Sequence, residues 1–376
     1  MICRRLLNII REKLNHGKAL IILGARQTGK TTILKELYKD FADKALMLNC
    51  DEPQVRSNLT NVSSSFLKQL TGNKKYILID EAQRINNIGL TLKLITDELP
   101  DIQLIVTGSS SLDLANDINE PLTGRKFEYN LFPLSFGELI ENNELIQTMG
   151  ELERRLIFGS YPDVINNHGN EREILNNLTS SYLYKDLLSF KGIRKPEMLE
   201  KLLIALAFQV GNEVSYTELS NTLQIDKETV SNYIYLLEQT FIIFRLSPFS
   251  RNLRNELTKK RKFYFIDNGI RNALIANYNP VDLRQDIGQL WENFLISERL
   301  KFNHYHFQYA NSYFWRTHQQ QEIDYLEEKS GKLYAWEFKW SKTKRYRFPK
   351  TFLNNYPENI TAIITRDNYL DFITKF

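Results

Sequence analysis

The sequence predicts an α/β fold: a parallel sheet lying between helices in the first third of the chain, with smaller helical and mixed α/β parts after it. Three observations carry this. Ala19-Leu20-Ile21-Ile22-Leu23 is a short apolar run of the kind that makes a buried parallel strand. A glycine-bracketed loop, Gly24-Ala25-Arg26-Gln27-Thr28-Gly29-Lys30-Thr31, joins it to a stretch whose apolar residues recur at helical spacing, Ile33, Leu34 and Leu37. Three further short apolar runs, at 44–49, 76–81 and 103–107, each end in polar residues. At 376 residues the chain exceeds the roughly 250–300 at which a single core stops growing, so two or three domains are expected.

The loop fits G-x-x-x-x-G-K-[ST] and lies between strand and helix, as a phosphate cradle requires. Its glycines let consecutive backbone N–H groups curl around phosphates, and the helix N-terminus adds positive potential. Lys30 is placed to reach the β- and γ-phosphates of a nucleoside triphosphate such as ATP, and the Thr31 hydroxyl to ligate Mg2+. The binding stretch therefore runs from Gly24 through Arg26, Gln27 and Thr28 to Thr32.

Residues 2–15 read as an amphipathic helix leading into the first strand. Arg4 and Arg5 there are either a solvated face or contacts to nucleotide or a neighbouring subunit. The second strand, Lys44–Asn49, ends at Asp51-Glu52-Pro53, where Asp51 either sits near the metal or caps the next helix. The third, Tyr76-Ile77-Leu78-Ile79-Asp80-Glu81, runs four apolar residues into two carboxylates, the Walker B pattern. Asp80 is the expected Mg2+ residue and Glu81 the one that polarises attacking water; a small-molecule kinase needs no second acid at this place. The fourth strand, Gln103–Thr107, ends in Gly108-Ser109-Ser110-Ser111, where Ser109 or Ser110, ahead of Thr107, is the candidate γ-phosphate sensor or helix cap. A fifth strand follows Gly124-Arg125, and Arg125 is either a surface arginine or an arginine finger, a residue usually supplied by a neighbouring subunit.

Later segments carry different signals. Residues 197–246 read as a winged helix, with Ser215–Leu219 opening one helix, Asp226–Glu238 forming the second and Phe241–Leu246 the wing strand. DNA contact is one reading of such a unit. The second helix argues for a spacer or protein dock instead, because it sets Lys227 against Asp226, Glu228 and Glu238. Arg245–Lys262 holds seven basic residues and one acid, Glu256. Lys339–Lys350 holds six basic residues and no acid, with Trp340, Tyr346 and Phe348 interleaved; both runs suit either a nucleic-acid backbone or a solvated face. Finally, Asp324 and the Glu337-Phe338-Lys339 triplet lie on two alternating strands around a turn at Ser330-Gly331, the PD-(D/E)xK pattern of nucleases. Two carboxylates there suit a divalent metal, the lysine suits water activation, and Glu292 is the upstream acid that completes the set. The alternative is a catalytically silent fold with a cross-strand salt bridge.

Gly24–Thr32, Ile77–Glu81, Val106–Ser111, Gly124-Arg125 and Phe132-Pro133-Leu134-Ser135-Phe136 with Glu138 together resemble the prokaryotic AAA+-type ATPases that carry a C-terminal DUF4143 region. The resemblance implies a P-loop NTPase parallel sheet of order 5-1-4-3-2, a helical lid containing a Gly-Tyr-Pro turn, and a restriction-endonuclease-like α/β domain at the end. The turn here is Gly159-Ser160-Tyr161-Pro162, with Ser160 where the family has a second glycine. The expected parts are an ATPase core at 1–145, the lid at 146–195, a winged helix at 196–250 and the nuclease-like domain at 251–376.

The net charge of +4 is too small to imply nucleic-acid binding unless it is clustered. Two cysteines, Cys3 and Cys50, make neither a disulfide framework nor a metal set. No apolar run reaches the ~18–20 residues of a membrane span. A cytoplasmic ATPase is expected, with ATP and Mg2+ as cofactors. Its C-terminal half engages DNA or docks a protein partner, and a homo-oligomer would supply Arg125 in trans.

Overall fold

The structure, a computed structural model, describes residues 2–108, 118, 121–143, 145–183, 193, 195–250, 260–317, 319–341 and 346–375. The chain divides into two compact units, residues 1–134 with 239–241, and residues 135–238 with 242–376.

The first unit is built on five strands: β1 (Ala19–Leu23), β2 (Ala45–Asn49), β3 (Tyr76–Asp80), β4 (Gln103–Gly108) and β5 (Lys126–Asn130). Every pairing is parallel and the order is β2-β3-β4-β1-β5, which is the expected order read from the other edge. The apolar runs explain the placement. β1 and β4 are buried along their whole length and lie inside the sheet, whereas β2 and β5 are partly exposed and lie at its edges. Ile21, Leu23, Ile77, Ile79, Leu104 and Val106 share one core with Leu59, Leu92 and Ile95 from the flanking helices. Since all five strands run the same way, the residues that follow them gather along one edge of the sheet.

The second unit opens with short helices, Phe136–Asn142, Leu152–Phe158, Pro162–Asn166 and Glu171–Asn177 among them, then the helices Pro196–Phe208, Tyr216–Leu223 and Lys227–Gln239. Its seven-stranded mixed sheet has the order β12-β11-β10-β9-β7-β8-β6. The strands are β6 (Glu213–Val214), β7 (Ile243–Pro248), β8 (Arg261–Phe265), β9 (Asn311–Arg316), β10 (Glu322–Lys329), β11 (Lys332–Phe338) and β12 (Asn359–Ile364). The 19-residue helix Ile287–Tyr305 packs on the sheet through Trp291, Phe294 and Leu295, alongside Tyr325, Trp336 and Phe372.

Two features differ from the four expected parts. The first unit ends at Leu134 rather than near residue 145. Ser135 and Glu138 form a reciprocal capping box on the Phe136–Asn142 helix, Glu298 accepts from the Phe136 N–H at 2.6 Å, and the Phe136 ring packs against Phe294 and Tyr369, so this stretch is built into the second unit. The expected boundary after residue 250 is also bridged. β7 pairs antiparallel with β8 and parallel with β9, so the wing and the nuclease-like strands form one continuous sheet.

Candidate functional site

The loop after β1 is shaped by backbone that only certain residues tolerate. Gly29 has φ 101° and Gln27 φ 60°, both left-handed, while a Cβ on Gly24 would collide with the Leu131 carbonyl. Lys30 opens the Lys30–Phe41 helix and is 4% exposed; its Nζ donates to the Gly24 and Ala25 carbonyls at 2.9 Å each. Thr28 Oγ1 donates to the Ala25 carbonyl at 2.8 Å, closing the turn. Thr31 is half-buried and Thr32 exposed at the start of the same helix.

The ends of β3 and β4 complete this edge. Asp80 is buried, and its Oδ1 accepts from Thr107 Oγ1 at 2.5 Å. The same hydroxyl accepts from the Glu81 N–H at 3.2 Å, so one threonine fixes both members of the acidic pair. Glu81 sits at φ 54°, a left-handed conformation that ends the strand, and Gln83 donates to its carboxylate at 2.6 Å. Cys50, just past β2, is buried; burial first, then the charges of Asp80, Asp51 and Glu81, push its thiol up to about 12, so it is a small packed group rather than a nucleophile. Asp51 pairs with Arg84 at 3.3 Å.

A glycine cradle, a buried ammonium at a helix N-terminus and a buried carboxylate at the end of β3 fit a nucleoside triphosphate with Mg2+. Gly24 to Thr32 would hold the phosphates, and Thr31 and Asp80 the metal, which would neutralise charge on the phosphate oxygens.

Arg4, read from sequence as a solvated face or a contact to nucleotide or a neighbouring subunit, is neither solvated nor remote from the loop. It is 6% exposed, and its guanidinium donates to the Thr28 carbonyl at 2.5 Å and the Phe132 carbonyl at 2.7 Å. It ties the phosphate loop to the segment after β5. Arg125 is elsewhere. It precedes β5, its carbonyl accepts from the N–H of Ala19 at the start of β1, and its side chain pairs with Asp97 at 2.6 Å. β1 separates it from the loop by five residues, about 16 Å at ~3.3 Å per residue, so it does not serve the loop of its own chain. Ser109 and Ser110 lie outside the described residues; Thr107, ranked behind them, is the described hydroxyl at this strand tip.

In the second unit the four nuclease-like residues come together. Continuing the β10–β11 register, in which Tyr325 faces Trp336, sets Asp324 opposite Glu337 and Glu322 opposite Lys339 on one face. Lys339 Nζ lies 2.7 Å from Glu337 Oε1, and the Phe338 N–H donates to Asp324 Oδ2 at 2.8 Å. Burial, then the charges of Glu292 and Glu337, hold the Asp324 carboxyl well above the ordinary range, with Lys262 opposing. Sequence reading counted Lys262 in a basic run rather than in this cluster and gave Tyr264 and Glu322 no role. Lys262, on β8, is 2% exposed and lies 3.2 Å from Glu292 Oε1 and 2.5 Å from Glu322 Oε1, while Tyr264 donates to Glu292 at 2.6 Å. Among the described residues, no group of three or more acidic, histidine or cysteine side chains is arranged to hold a metal ion.

The Gly159-Ser160 turn has a specific cause. Gly159 has φ 69° and a Cβ there would collide with the Asp267 carboxylate, while Ser160 supplies only its N–H, donating to Asp267 Oδ2 at 2.7 Å. The serine in place of glycine is therefore accommodated.

Three family models match the chain: an AAA domain at residues 16–140, domain of unknown function DUF8612 at 149–281 and domain of unknown function DUF4143 at 287–371. An uncharacterized protein of Mycobacterium tuberculosis is 25% identical over 343 residues, covering 89% of this chain and 73% of that protein. One from Methanocaldococcus jannaschii is 29% identical over 314 residues, covering 71% and 66%. Among solved structures, the Walker-type ATPase of Pyrococcus abyssi aligns with a TM-score of 0.52 at 16% identity, over 73% of this chain and 96% of its own. No described helix is long and apolar enough to cross a membrane. The sheet order, the phosphate loop and these matches agree on a P-loop NTPase fold for the first unit, with an AAA domain matched at residues 16–140 and a DUF4143 domain at 287–371.

Proposed function

We propose that this protein binds and hydrolyses ATP with Mg2+ and that its C-terminal half engages nucleic acid. The observation that carries the first part is the shared strand-end edge: Lys30 in the loop after β1, Asp80 and Glu81 at the end of β3, and Thr107 on β4 bonded to both acids. In this reading Lys30 and the loop amides bind the triphosphate, and Thr31 and Asp80 hold Mg2+. Glu81 orients the attacking water, and Thr107 or Ser109 senses the γ-phosphate. The Pyrococcus abyssi protein is named as a Walker-type ATPase, in keeping with this. Calorimetry with ATP and Mg2+ tests it. Lys30→Ala is expected to abolish binding. Glu81→Gln is expected to keep binding and lose turnover by about 10²–10⁴-fold. Normal affinity in the first variant or normal turnover in the second would remove the assignment.

A second reading, an NTP-dependent switch that docks a protein partner, has its own support. The exposed residues of the Lys227–Gln239 helix are Lys227, Glu228, Asn232 and Tyr235, and Arg245 beside it pairs with Glu238 at 3.2 Å. That surface offers little basic charge to phosphate.

A further inference from the structure

The nuclease-like pattern calls for a divalent ion between Asp324 and Glu337, and the residues around them do not fit one. Each of the four acids already has a partner. Glu292 is held by Lys262 and Tyr264, and Glu322 by Lys262 at 2.5 Å with Arg316 at 3.6 Å. Glu337 Oε1 is held by Lys339, its Oε2 is buried with no hydrogen-bond partner among the described residues, and Asp324 accepts from the Phe338 N–H. Lys262 reaches the cluster from β8, a strand that pairs with β6 and β7, and its ammonium lies over the Phe314 ring, 5.5 Å from the centroid. Gly211 (φ 74°) brings its backbone against the cluster, where a Cβ would lie 3.4 Å from Glu292 Oε1.

We infer that Lys262 supplies this cluster's cation from within the chain, so that Glu292, Glu322 and Glu337 are paired with ammonium and guanidinium groups, Asp324 with a backbone N–H, and the cluster takes no divalent metal while Lys262 is in place. The charges support this. Four acids face Lys262, Lys339 and Arg316. Lys262 Nζ sits 3.2 Å from Glu292 Oε1 and 2.5 Å from Glu322 Oε1, so its positive charge is fixed between two carboxylates. A divalent ion arriving at Asp324 and Glu337 would meet that charge at close range in a poorly hydrated place. The cluster then serves as a junction that joins β8, β10, β11 and the Ile287–Tyr305 helix, and nucleic acid engaged by this half would be held without metal-dependent cutting. The inference does not depend on the nucleotide site.

Mn2+ titration of the nucleotide-free full chain, read by electron paramagnetic resonance of the free ion, tests it. Wild type is expected to show no Mn2+ site that Glu337→Gln removes. Lys262→Met is expected to gain one Mn2+ per chain, bound at least roughly tenfold more tightly than in wild type and lost again on adding Glu337→Gln. A wild-type Mn2+ site abolished by Glu337→Gln overturns the inference, as does a folded Lys262→Met chain that gains none. If Lys262→Met does not fold by circular dichroism, the wild-type and Glu337→Gln pair decides alone.

Discussion

Asp267 illustrates how single residues act in this protein. It caps the Asn268–Leu274 helix through the Ile270 N–H at 3.2 Å, accepts from Ser160, and fills the space that Gly159 leaves. Burial raises its carboxyl above the ordinary range, against the Lys301 charge and the backbone donors that lower it. A carboxyl raised in the folded state contributes stability that is full below the unfolded value, ~3.9, and is lost as pH rises through the folded one. Asp267→Asn removes that dependence. The melting temperature of the variant is therefore expected to fall furthest below wild type under about pH 3.9, with the gap narrowing as pH rises above it; a gap that widens with pH would refute the sign. At this scale the sequence was legible where a role is local. Gly29, Lys30 and Thr31 are neighbours, and their spacing alone gives the cradle. The partners of Arg4, Lys262 and Asp267 were not legible, because they lie far along the chain: Phe132 for Arg4, Glu292 and Glu322 for Lys262, Ser160 for Asp267.

At the scale of elements, strand direction decides what each end can do. The parallel strands of the first unit put the phosphate loop, Asp80 and Glu81 at one edge and Arg125 at the other. An arginine finger at that position acts only on a neighbouring copy. Mixing Arg125→Ala with Lys30→Ala chains, each inactive alone, is then expected to restore part of the ATP turnover, because mixed pairs unite an intact loop with an intact arginine. No recovery across a range of ratios would leave Arg125 as the surface partner of Asp97. The strands themselves were legible, since a strand buried on both faces reads as an unbroken apolar run. The role of β7 was not. Its periodicity marks a strand, but nothing in it names β9 as a partner, and so the continuous seven-stranded sheet emerged only in three dimensions.

At the scale of the whole molecule the open question is the ligand of the second unit, and charge decides it. The +4 net charge is modest, so binding to DNA must come from the clustered basic residues. Lys262 leaves that set because it is buried and paired; Lys260 and Arg261 remain accessible, while Lys344 and Arg345 of the second run lie outside the described residues. If these residues neutralise DNA phosphates, the logarithm of affinity falls with the logarithm of salt at about 0.9 per phosphate contacted. Reversing Arg261, Lys344 and Arg345 to glutamate is then expected to weaken binding at low salt and to flatten that slope by roughly three. ATP turnover measured with and without the same DNA, alongside particle size, completes the test, since an ATPase working on nucleic acid should turn over faster with its ligand present. Absence of DNA affinity at low salt, or an unchanged slope in the reversed variant, would transfer the C-terminal half to the protein-docking reading, in which the exposed Glu228, Asn232 and Tyr235 face of the Lys227–Gln239 helix becomes the surface to probe.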